Sequence, residues 1–237
     1  ETEEIDALYA RALDRYQTAS NKTGSLDVLV KLGKLYLAYG KLDDAQSSFE
    51  QVVRRSPYKV EAYAGLGDTL LAKGDKDGAI QNYRTAFDRA FDKDLKRQIG
   101  EKLVELVPDD ISVRYKLAQV YADQYMWSAA IKQYAAILAR NPDSIDSYLG
   151  IAEAYKWKTE YDTGIDYLDK GLANAKSDAD RIKLYEKLVE LDQAKVGVDK
   201  PLEQKGLDAL FALGKLYLAQ GDKDKAKDAL EKLAKYD

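Results

Sequence analysis

The chain is 237 residues long, 46% hydrophobic and 33% charged, and its 37 Lys and Arg against 41 Asp and Glu leave a net charge of −4. That balance, with no basic stripe, argues against a nucleic-acid binder, and no apolar run approaches the ~18 residues of a membrane span. With no Cys there is no disulfide or thiol chemistry, and with no His the usual base near neutral pH and the commonest metal ligand are missing.

Residues 3–20 form one amphipathic run, with Ile5, Leu8, Ala12, Tyr16 and Ala19 at spacings of three and four, the period of a helix face. Asn21-Lys22-Thr23-Gly24 breaks it. Residues 1–25 are therefore predicted to be a leading helix that caps the end of a helical stack. The stack itself is announced by a repeated heptapeptide: Leu-Gly-Lys-Leu-Tyr-Leu-Ala occupies both 32–38 and 213–219. Each copy is followed by a Gly (Gly40, Gly221), an Asp-bearing turn and an Ala (Ala45, Ala226) that opens another helical run.

Five units share this plan, starting at 26, 60, 111, 145 and 207. Their first helices carry Leu32, Gly33 and Tyr36; Leu66, Gly67 and Leu70; Leu117, Ala118 and Tyr121; Ile151, Ala152 and Tyr155; Leu213, Gly214 and Tyr217. Their second helices carry Ala45 and Phe49, Ala79 and Tyr83, Ala130 and Tyr134, Gly164 and Leu168, Ala226 and Leu230. The small residues are expected where the two helices of a hairpin cross, because a larger side chain would hold them apart. The aromatics are expected to fill the space between neighbouring units. Gly40, Gly74 and Gly221 suit left-handed helix ends, and Asp43, Asp75, Asp77, Asp222 and Asp224 suit helix starts.

This pattern resembles the tetratricopeptide repeat family, which places Leu seventh, Gly or Ala eighth, Tyr eleventh, Ala twentieth, an aromatic twenty-fourth and Pro thirty-second in each unit. The fourth unit departs from it at Gly164 and Gly171, which stand where Ala is usual. The resemblance implies an all-α solenoid of antiparallel helical hairpins, with about a dozen helices here.

Two segments interrupt the period. Glu101-Lys102-Leu103-Val104-Glu105-Leu106 and Glu186-Lys187-Leu188-Val189-Glu190-Leu191 match each other, so each interruption is predicted to hold an extra helix that reverses the up-down parity of the helices after it. The second is expected to begin at the capping box Ser177 to Asp180. The resulting organisation is a cap (1–25), units one and two (26–93), an extra helix (94–110), units three and four (111–178), an extra helix with linker (179–206) and unit five (207–237). Whether 78–107 is one bent helix or two is left open, and Gly197, Pro201 and Gly206 suggest a hinge.

No residue set points to catalysis, a cofactor or a metal. The three Asp-Lys-Asp triplets, at 75–77, 92–94 and 222–224, are too short for a calcium loop and are read as turns and caps. The family binds extended or helical peptides in the groove lined by its first helices, which implies a row of Val30, Ala64, Tyr115, Leu149 and Phe211 along its floor. Lys34, Asp68, Gln119, Glu153 and Lys215 form the row beside it, with Trp157 further along its helix. Chaperone-binding members hold a partner's terminal carboxylate in a Lys/Asn/Arg clamp, and its positions here hold Lys34, Val30 and Gly65. The function expected is a non-catalytic protein-interaction scaffold or assembly adaptor with a protein or peptide partner. The alternative is a structural subunit or a self-associating assembly protein. Glu1 in place of Met fits either a removed leader or a trimmed chain, and the compartment is not specified.

Overall fold

The computed structural model describes residues 2–198 and 200–235. Among them are thirteen α-helices and no strand. A leading helix α1 (Thr2–Thr23) precedes two hairpins, α2 (Leu26–Ala38) with α3 (Leu42–Arg55) and α4 (Val60–Ala72) with α5 (Lys76–Arg89). A single helix α6 (Lys93–Leu106) comes next. The same order then recurs as α7 (Ile111–Asp123), α8 (Trp127–Leu138), α9 (Ile145–Trp157), α10 (Tyr161–Asn174) and α11 (Asp178–Val196). A last hairpin, α12 (Gln204–Gln220) and α13 (Lys223–Ala234), ends the described chain. The chain divides into two compact units, Glu1–Asp110 and Ile111–Asp237.

The starts of α2 to α6 and of α7 to α11 are related by one constant offset of 85 residues, from Leu26 onto Ile111 through to Lys93 onto Asp178. The repeating element is thus a five-helix module. Residues 78–107 are two helices, separated where Asp92 caps α6 by accepting from the Leu95 amide at 2.7 Å. Asp75 and Asp222 cap α5 and α13 in the same way, so all three Asp-Lys-Asp triplets open helices. Ser177 caps α11 through the Asp180 amide.

Ring-on-glycine packing sets the hairpin spacing. In the first unit the fully buried Phe49 ring lies against Gly33, where an added Cβ would stand 2.8 Å from it, and against Gly65, where a Cβ would fall closer still. One ring therefore seats in two first helices, α2 and α4. Tyr83 fills the corresponding place at Gly67. In the second unit Tyr134 seats against Gly150, where a Cβ would stand 2.5 Å from the ring. Gly164 and Gly171 have a reason to depart from Ala: Leu191 and Leu184 of α11 press onto them. The first-unit core gathers Leu29, Val30, Ala45, Phe49, Val52, Ala62 and Leu66. Each such large side chain contributes roughly 1.5–3 kcal/mol by leaving water.

Two expectations need correction. The leading helix covers its stack only in part. Tyr9 stacks on Tyr39 at 3.5 Å and Gln17 donates to the Tyr36 hydroxyl at 2.7 Å. Ile5 and Leu8 nevertheless remain 58% and 51% exposed. The linker is also no loose hinge. The fully buried Asp192 accepts from the Glu203 amide at 2.7 Å, Lys195 bridges Asp162 and Glu203, and Leu202 is buried. Gly206 lies inside α12, where a Cβ would strike the Asp192 carboxylate.

Candidate functional site

The fifth helix of each module reaches back to the first helix of the preceding hairpin. Lys102 of α6 pairs with Asp68 of α4, and Lys187 of α11 pairs with Glu153 of α9 at 2.9 Å. In the first unit Asp68 also accepts from the Tyr83 hydroxyl at 2.5 Å. Burial, with the Asp68 carboxylate beside it, pushes that phenol well above its ordinary range. Lys34, Asp68 and Lys102 line a cavity of about 130 Å³ with Leu37, Ala64 and Leu95. Val30 is 6% exposed within the core and offers a partner almost no surface.

The second unit is built differently at the matched positions. Lys156 and Lys187 both pair with Glu190, and Lys187 also with Glu153, giving an alternating four-charge network. Burial pulls the Lys187 ammonium down, but its bonds to Glu190 and Glu153 outweigh this and hold it above its ordinary value. Burial pushes the Glu190 carboxyl up, and its bonds to Lys156 and Lys187 overcome that and hold it below its ordinary value. Glu153 also accepts from the Trp157 indole at 2.6 Å, which fixes that ring. Trp157 is 57% exposed and stacks parallel on Trp127 at 5.8 Å, with Tyr125 edge-on to Trp127.

α11 packs against both α9 and α10, as α4 packs against α2 and α3. It therefore takes a first-helix place, and α12 packs against α11 as a second helix would. This is the parity change, and it opens a groove of about 620 Å³ along α11. The floor is Val189, Ala194, Leu202 and Leu210, and the rim is Lys156, Glu186, Glu190, Lys232 and Lys235. A second hollow of about 360 Å³ continues it past Leu213 and Tyr217 toward Lys225 and Asp228.

The residues expected to line one continuous row do not all meet. Tyr115 is half-buried, edge-on to Tyr134 at 5.7 Å, with Gln119 as its hydrogen-bond partner. Leu149 packs at the margin of the second-unit core. Phe211, 53% exposed with Lys215 over its ring, lies outside the groove, because α11 stands between α9 and α12. Sequence reading missed Val189, Glu190, Lys156 and Lys232. The one usable signal was the matched hexapeptide, which holds Lys102 and Lys187 in register.

The Tetratricopeptide repeat profile matches residues 30–94, and a second profile of that description matches 112–144 and 208–237. The chain belongs to the tetratricopeptide repeat family. Its helical hairpins form a solenoid of the protein–protein interaction type. A curated relative, TPR repeat-containing protein MJ1428 of Methanocaldococcus jannaschii, is 24% identical over 194 residues. The match covers 68% of this chain and 34% of the relative, so the chain spans about a third of that protein. Similar tetratricopeptide structures include the thermophilic protein TTC0263 of Thermus thermophilus (21% identity, TM-score 0.42, covering 89% of this chain and 100% of that one). Another is the TPR2AB domain of yeast Sti1 in its pHSP90 complex (17%, 0.40, 96% and 92%). No helix among the described residues is long and apolar enough to cross a membrane.

Proposed function

We propose that this tetratricopeptide chain is a protein-interaction scaffold whose second unit holds a helical or extended segment of a partner protein in the groove along α11. The carrying observation is the groove's composition. An apolar floor of Val189, Ala194, Leu202 and Leu210 runs between Lys156, Lys232 and Lys235 on its rim. An amphipathic segment buries its apolar face on such a floor and sets its polar flanks against such a rim. Trp157, fixed by Glu153 and next to Lys156, extends the contact surface. The remaining row residues Tyr115, Gln119 and Leu149 are assigned to the same partner, with Phe211 and Lys215 on a separate face. In the first unit Lys34 and Asp68 contribute surface charge, and Val30 contributes packing.

The reading is tested with proteins that copurify with the chain, identified by mass spectrometry and rebound as purified components. Lys156→Glu and Trp157→Ala are expected to weaken rebinding at least tenfold while helicity is unchanged. Equal rebinding by both variants would refute the assignment.

A further inference from the structure

Helix α1 carries an apolar stripe that its own stack leaves half open. Ile5 and Leu8 are more than half exposed, and beside them α1 and α2 enclose a groove of about 660 Å³. Its walls include Leu8, Arg11, Ala12, Arg15 and Val28. Glu4, Leu8, Arg11 and Arg15 succeed one another at spacings of four, three and four, so they share one helix face. Glu4, Arg11 and Arg15 make no ion pair among the described residues. The acid lies near one end of the stripe and the two bases lie near the other.

We propose that this face is an isologous interface: a second copy of the chain lays its α1 antiparallel along this one, in the groove against α2. A twofold near Ala10 sets each Leu8 against the partner's Ala12, a large side chain on a small one, so the helices approach closely. It also brings each Glu4 beside the partner's Arg15. The twofold forms both contacts twice. The sign pattern along α1 favours this occupant. A parallel copy would align Arg15 with the partner's Arg15, whereas the antiparallel copy sets the acid of each stripe against a base of the other. This interface belongs to the first unit and is independent of the groove along α11.

The test is the mass of the 237-residue chain by light scattering across a hundredfold concentration range. The wild type is expected to pass from one copy to two. Leu8→Glu, at an exposed position, is expected to remain monomeric with unchanged helicity by circular dichroism. Arg15→Glu is expected to weaken dimerisation at least tenfold, and the double variant Glu4→Arg, Arg15→Glu to restore it, because the exchange recreates the ion pairs in reverse. A wild type that stays monomeric throughout, a dimer indifferent to Leu8→Glu, or a double variant no better than Arg15→Glu would each overturn the proposal.

Discussion

The two five-helix modules have matching helix starts, yet the same places hold different chemistry. Gly40 and Gly74 end first helices of the first module at φ 75° and 85°. In the second module Tyr125 and Thr159 stand at φ 59° in those places, a conformation that costs a residue with a Cβ roughly 1–2 kcal/mol. Where the first module sets Lys102 against Asp68 beside a small cavity, the second has a four-charge network, an aromatic corner and a long groove. Matching helix starts with strained non-glycine turns and a stacked tryptophan pair in one copy alone separate what the fold requires from what was added to it.

Glycine substitutions give the largest effects and should not distinguish the modules. Gly65→Ala drives a methyl into the Phe49 ring, and Gly150→Ala does the same to Tyr134. Each is expected to cost about 1–3 kcal/mol by overpacking, measured by urea unfolding, with part of the Gly65 loss recovered by Phe49→Leu. A cost seen in only one module would break the equivalence. The turns should distinguish them: Thr159→Gly is expected to gain about 1 kcal/mol and Gly74→Ala to lose about as much, read as opposite shifts in melting temperature.

Acid–base behaviour sharpens the contrast further. Asp192 is buried with one carboxylate oxygen unpaired, and burial raises its carboxyl above the ordinary value. Its ionised form therefore penalises the fold, and the penalty disappears as pH falls below the unfolded value of about 3.9. Asp192→Asn keeps the acceptor for Glu203. Its stability relative to wild type is expected to improve with rising pH from about 4 upward and to be flat if the site is solvated. Glu190 carries the opposite sign. Held below its ordinary value, it stabilises the second unit above that range, and the gain is lost as pH falls through its folded value. Hydrogen exchange in α11 should report that loss. The smallest effect is the pair itself. A double-mutant cycle on Glu153 and Lys187 is expected to give about 0.5–1 kcal/mol, and one on the more exposed Asp68 and Lys102 about half that.

Much of this fold could be read from local pattern, because Leu32, Gly33 and Tyr36 recur at one spacing and Asp75, Asp92 and Asp222 announce helix starts. What escaped depends on residues brought together from separate helices. The role of Gly65 needs Phe49 from the helix before it. The fixed linker needs Asp192 to meet Glu203. Above all, the row through Tyr115, Leu149 and Phe211 assumed that first-helix sequence implies first-helix place. α11 takes that place instead, and its claim to it is its packing on α9, which periodicity along the chain does not encode.

Val104 and Val189 occupy the same place in the two matched hexapeptides, and both are half-buried. Val189 lines the groove along α11. The decisive measurement is the affinity of the copurified, purified partner for Val104→Glu and Val189→Glu side by side, at matched helicity. Loss of binding with Val189→Glu alone is the predicted result. Equal affinities for the two variants would contradict the account.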